Sequence, residues 1–329
     1  MHNNVNLINK NGWVEGLRAI LLLYIAFHHF TSRYMDFYPE VNFNYSSEIG
    51  GMVGNFMFMM ISGYFLAKTL LQGYGFKDLS KYLINRWWRL FPAIVLCTSI
   101  TFIIVTISPL NERMVSFPQF LLNFLIIHPD VPYVDGSHWF AATLLQIQLL
   151  LGLIVLIKNY KTRIYTIVGL YIFSLILYLV FDIPSTRLDN ILYYLTKSSW
   201  LPVLLSGCIL FYIQSNHLSK IFYLIPFLMV LIHVFIFKIW ILLLPFCLFL
   251  IFISDIIKID CPQFLAKCGG VSFYWYLLHQ NIGFCIMNEL RNIGVTGELW
   301  LLTAALVTTL VIAFGVESIL RFIPKKIFK

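Results

Sequence analysis

Apolar residues recur along this chain in ten runs, each long enough, or nearly so, to cross a hydrocarbon layer about 30 Å thick. They fall at about 14–32, 50–71, 88–108, 139–157, 163–181, 194–213, 221–237, 239–257, 271–289 and 299–321. Short polar segments separate them. Pro202 and Pro226 interrupt the sixth and seventh runs, and little more than Lys238 parts the seventh from the eighth. The pattern predicts an all-α, polytopic integral membrane protein of about ten transmembrane helices, with 1–329 forming a single domain. No soluble domain, internal repeat or low-complexity tail is expected.

Composition agrees: 60% of residues are hydrophobic, 12% are charged, and mean hydropathy is +0.82, far from soluble domains. A net charge of +8 could suggest nucleic acid, but its placement argues otherwise. With the N-terminus inside, the inner segments hold sixteen Lys and Arg and the outer segments six. That asymmetry puts both termini in the cytoplasm of an inner-membrane protein. Cys97, Cys208, Cys247, Cys261, Cys268 and Cys285 lie mostly in apolar runs without Cys-x-x-Cys spacing, so they read as small hydrophobes. No metal site is expected. The polar N-terminus and first run lack a signal-peptide cleavage pattern, so the first helix is expected to stay as an anchor.

Candidate chemistry begins in that first run, Gly16 to Phe30, which carries Arg18, His28 and His29. Ionisable groups inside a membrane usually face a protein interior or a wet cavity, because each costs roughly 2.5–3.5 kcal/mol on insertion scales. At about 100° per residue, Arg18 and His29 share one helix face, roughly 16 Å apart along the axis, while His28 points about 80° away. The competing reading has Arg18 snorkelling to the interface and His29 as a membrane-end histidine.

Arg86-Trp87-Trp88-Arg89 precedes the third run on the inner side. Its arginines lie about 60° apart on a helix and could grip one polyanion, with indoles to stack on a flat group. A positive-inside flank with an aromatic belt explains the same residues. Gly50 to Gly63, with Ser62, suits close helix packing, including packing against the first helix. His138 and Trp139 open the fourth helix from outside, where His138 reads as interfacial; His279 lies inside the ninth and Glu317 late in the tenth, and either could line a wet cavity. The outer loops 33–49 and 109–137, with Asp36, Glu40, Glu48, Asp130 and Asp135, suit sugar binding or plain solvation.

Taken together, these residues resemble the acyltransferase 3 family of integral-membrane O-acyltransferases. The resemblance covers about 12–324 and rests on four elements. They are Arg18-x10-His29, a glycine- and phenylalanine-rich run ending in Ser62-Gly63-Tyr64, Arg86-x-x-Arg89 followed by Pro92, and Ser272 to His279. Leu144 stands where many members carry a Glu in the fourth helix. The resemblance implies O-acylation, commonly O-acetylation. Cytoplasmic acyl-CoA, commonly acetyl-CoA, would donate to a hydroxyl of a cell-envelope polysaccharide or its lipid-linked precursor. It implies Arg86, Arg89, Arg18 and Trp87 on the coenzyme and His29 with Arg18 in catalysis, His29 as general base or acyl carrier. Trp139, His279, Ser62 and Glu317 would be near the substrate. A transporter or flippase of glycan intermediates is the alternative for so many intramembrane charges.

Overall fold

The computed structural model describes residues 6–47, 49–108, 110, 113–125, 132–181, 200–254 and 259–323, and among these every regular element is helical. Helix α1 (Asn6–His28) runs into one wide π turn (His29–Arg33) and a short α2 (Tyr34–Phe37). Then come α3 (Gly50–Leu70), α4 (Phe76–Ile107), α5 (Phe117–Asn123), α6 (His138–Gly152), α7 (Tyr160–Phe181) and α8 (Leu201–Gln214). The chain closes with α9 (Leu224–Phe237), α10 (Leu243–Ile253), α11 (Gln263–Gly270), α12 (Ser272–Asn292) and α13 (Glu298–Leu320). Part of the expected runs, 194–199 and 255–257, lies outside the described residues. All six cysteines are free.

Two expectations need restating. The third run was expected to start at 88, but α4 starts at Phe76 and spans 32 residues. The Arg86-Trp-Trp-Arg89 element therefore lies within a helix rather than at its mouth. At about 1.5 Å per residue that helix is about 48 Å long, longer than a hydrocarbon core, so its first turns project beyond one. Second, six helical segments among the described residues are long and apolar enough to cross a membrane: Gly50–Leu70, Phe76–Ile107, His138–Leu156, Tyr160–Leu179, Lys220–Phe237 and Glu298–Leu320. α8 and α10 are too short for that measure, and α1 and α12 are long enough but too polar.

The chain forms two compact units, one from 6–54, 88–142 and 247–323 and the other from 55–87 and 143–246. In the second unit α3 and α8 pack backbone to backbone. A Cβ on Gly63 would overlap the Leu204 carbonyl, and one on Gly207 would overlap the Met60 carbonyl. Only glycine permits that approach, the usual means of close contact between membrane helices. Side chains fasten the same seam: the Tyr64 hydroxyl donates to Gln214 at 2.6 Å and the Tyr212 hydroxyl to the Ala67 carbonyl at 3.3 Å. Arg163, only 1% exposed, donates to the carbonyls of Leu70 at 3.1 Å and Gly73 at 2.6 Å. It thereby satisfies carbonyls that the end of α3 leaves without an intrahelical partner.

In the first unit α3 begins against α1, where Gly50 meets the Tyr24 carbonyl and Gly54 meets Ile25. The expected packing of the glycine-rich run on the first helix is thus present at its N-terminal end, whereas the stretch around Ser62 belongs to the seam with α8. Phe30, Tyr34, Phe43, Phe284 and Met287 anchor a core in which Phe30 lies over Gly283 of α12. Trp275 of α12 donates its indole N–H to Thr309 of α13 at 2.9 Å.

Gly63→Ala and Gly207→Ala are each expected to destabilise the protein by roughly 1–3 kcal/mol, the usual cost of overpacking. Thermal unfolding in detergent reads this as a lowered midpoint, whereas Gly270→Ala, whose Cβ would meet open space, leaves the midpoint in place.

Candidate active site

Three segments of the first unit converge: the π turn after α1, the segment 132–138 leading into α6, and the middle of α12. His29 is the first residue of the π turn, a widening of the helix that is frequent at functional sites. The Thr31 hydroxyl steadies it by donating to the Phe27 carbonyl at 2.6 Å. The His29 ring meets His279 edge-on, with centroids 5.0 Å apart, and lies 5.1 Å from His28.

Hydrogen bonds fix which ring nitrogens carry protons. A carbonyl only accepts, so the nitrogen facing it must donate. His279, fully buried, directs Nδ1 at the Tyr276 carbonyl at 2.8 Å; the lone pair of the neutral ring is therefore on Nε2, which has no partner. His28 is committed in the same way, its Nδ1 donating to the Ser47 carbonyl. His29 keeps a buried Nδ1 without a partner.

The segment 132–138 is sewn onto α12. Asp135, fully buried, accepts from the Ser137 N–H at 2.9 Å, the Ser137 hydroxyl at 2.7 Å and the Asn281 N–H at 2.9 Å. His138 Nε2 donates to the Leu277 carbonyl at 3.0 Å, and the Asn281 amide donates to the Val134 carbonyl at 2.7 Å. Arg113 donates Nη1 to the Asn281 side-chain oxygen and lies 3.9 Å over the Phe37 ring. Burial pulls the Arg113 guanidinium below its ordinary pKa, and the Asp135 carboxylate opposes that pull.

Among the residues singled out from sequence, His29 and His279 come together. Arg18 does not join them: it lies on α1 with Nη1 2.8 Å from Glu15, one turn earlier. Arg86, half-buried above the Tyr82 ring at 5.3 Å, and Trp87 fall in the second unit, and Arg89, exposed, falls in the first. Trp139, half-buried, sits in the first turn of α6 beside His138. Ser62 belongs to the second unit, and so does Leu144, which is buried. Glu317 is paired with Arg321 at 2.7 Å. Sequence reasoning missed Arg113, Gln280 and Asn281. The polar run Gln280-Asn281, directly after His279 in an apolar helix, was the available signal. Among the described residues no group of three His, Cys, Asp or Glu is disposed to hold a metal ion.

A half-buried imidazole, His29, and a buried one, His279, each with a buried unpartnered nitrogen, lie on helices of membrane-spanning length. The chain matches the family model Acyl_transf_3, described as an acyltransferase domain, over residues 11–317, and it belongs to that family. It is therefore an acyltransferase that transfers groups other than aminoacyl groups. No curated protein and no solved structure matches it.

Asp135→Ala is expected to leave the main-chain N–H groups of Asn281 and Ser137 without their acceptor, at roughly 1–3 kcal/mol for each buried group stranded, while the Ser137 hydroxyl keeps the Tyr276 carbonyl. The loss shows as a lowered unfolding midpoint accompanied by reduced acyl transfer.

Proposed function

We propose that this enzyme moves an acyl group, acetyl in the simplest case, from cytoplasmic acyl-CoA to a hydroxyl of a cell-surface polysaccharide or its lipid-linked precursor. The observation that carries this reading is the edge-on pair of His29 and His279, each with a buried, unpartnered nitrogen. His29 acts as general base: it takes the proton of the acceptor hydroxyl as the oxygen attacks the thioester carbonyl. The tetrahedral intermediate collapses, the C–S bond breaks, and the proton passes from His29 to the departing CoA thiolate. A base so placed contributes typically about 10²–10⁴ in rate, and imidazole suits the task near neutral pH. His279 supports the charge that forms, since its Nε2 lone pair is free to accept while Nδ1 is held by the Tyr276 carbonyl. Arg86 and Arg89, with Trp87 beside them, take the coenzyme phosphates on the inner face; guanidinium forks match phosphate oxygens. Arg18, paired with Glu15, has the lesser share.

In the same reading the chain is one integral domain over 1–329 in the inner membrane with both termini cytoplasmic. Counting α1, α8, α10 and α12 beside the six apolar spans brings the crossings to ten. The polarity of α1 and α12 supports this, because the site residues themselves make these helices polar.

The test is release of thiol from acetyl-CoA, dependent on acceptor, by the purified protein. His29→Ala and His279→Ala are expected to lower it by about 10²–10⁴ at unchanged membrane abundance. His28→Ala retains most of it. Thiol release that survives His29→Ala overturns the base assignment, and movement of glycan without any thiol release favours a transporter. Arg86→Ala combined with Arg89→Ala is expected to raise the KM for acetyl-CoA at least tenfold; an unchanged KM removes the arginine pair from the donor site.

A further inference from the structure

Beyond the histidine pair, six buried polar atoms among the described residues of the first unit lack partners, and two of them are Gln280 Oε1 and Arg113 Nε. Each orphaned group costs roughly 1–3 kcal/mol, and such groups in a folded chain call for a specific explanation. These two adjoin the imidazoles. Gln280 follows His279 directly on α12 and is 2% exposed. Gly136 locates the two relative to each other: a point at its Cβ position would be 2.9 Å from Gln280 Oε1 and 3.4 Å from Arg113 Nη1. A donor and an acceptor thus close on Gly136 from two sides, and a side chain at that position would displace them.

Arg113 is held rigidly there. Asn281 accepts from Nη1, and the Phe37 and Phe284 rings lie 3.9 and 5.1 Å from its guanidinium carbon. Its flank lines a small recess of about 10 Å³ together with Val105, Thr106, Met114 and Val134. The ligand chemistry follows from the pairing. A carboxylate would satisfy Arg113 but confront the Gln280 oxygen, and a cation would do the reverse. One atom that both accepts and donates is a hydroxyl.

Resting on the reading of this chain as a transferase to a sugar hydroxyl, we propose that Arg113 and Gln280 bind a second hydroxyl of the acceptor. Arg113 donates to its oxygen and Gln280 accepts its hydrogen. The acceptor is therefore a polyol, bound through one hydroxyl while a neighbouring one faces His29. Gly136 is the position at which a side chain would push the pair apart.

The experiment compares two properties of each variant: acyl groups on the surface polysaccharide of cells expressing it, and binding of acetyl-CoA by the purified protein. Gln280→Leu, Arg113→Lys and Gly136→Ala are expected to lower glycan acylation at least tenfold while acetyl-CoA binding stays within about threefold of wild type. Gln280→Glu, which keeps an acceptor oxygen, stays within about threefold of wild type in both. Acylation that is unchanged, or that falls together with acetyl-CoA binding, overturns the assignment and leaves the donor reading standing. Absence of acetyl-CoA binding by the wild-type protein overturns the donor reading, and this assignment with it.

Discussion

Asp135 has no exposed surface, yet its carboxylate accepts from two groups of Ser137 and from the main chain of Asn281. A buried charge is tolerated only when paired and hydrogen-bonded, so removing its partners is expensive and its position is correspondingly fixed. A helix in lipid satisfies its own backbone, but α12 also takes outside partners at Leu277 and Asn281, from His138 and Asp135. His279 and Gln280 lie between those two anchor points. Their side chains are therefore oriented through the main chain that carries them, without any group on the rings except a backbone carbonyl.

The rest of the first unit serves that arrangement. Phe30, directly after His29, lies on Gly283 of α12, so the π turn and the second half of α12 approach closely on the far side of the histidines. Tyr34 and Tyr38 both contact Asn288, one by donating to its oxygen and the other by accepting from its amide at 2.6 Å. The turn after α1 is thus held to α12 at two levels, by aromatic packing and by polar contacts. Two rings 5.0 Å apart need fixed supports on both sides, because a catalytic geometry loosened by 1 Å can lose about 10²-fold in rate.

How far the sequence discloses this depends on the range of each interaction. The helices follow from runs of apolar residues, a local property, and Gly50–Leu70 matches the expected 50–71 almost end to end. The start of α4 was missed because its first turns, Phe76 to Trp87, are amphipathic rather than apolar and leave no membrane-type signature. His29 and His279 each stood out as ionisable groups in apolar segments, but their meeting depends on contacts 250 residues apart in the chain. Arg18 with Glu15 and Arg321 with Glu317 are neighbours at three and four residues, spacings that favour pairing on a helix. That local rule could have assigned them to each other before any cavity. His138 was read as interfacial, but it is 5% exposed and donates to a carbonyl of α12; nothing local to its sequence indicates that partner.

The kind of group that orients the imidazoles bears on the chemistry. His28 and His279 are both held by backbone carbonyls, which fix a tautomer without placing a negative charge on the ring. In the proposed reaction the base must be neutral before it acts, because a protonated imidazole has no lone pair for the acceptor hydroxyl. A carboxylate bonded directly to the ring would favour the charged form throughout the cycle. Asp135, tied to Ser137 and Asn281, acts on His279 through space instead. A neutral orienter at the His279 ring, with the carboxylate further off, leaves the Nε2 lone pair of that ring free to support the charge that forms on the base, His29.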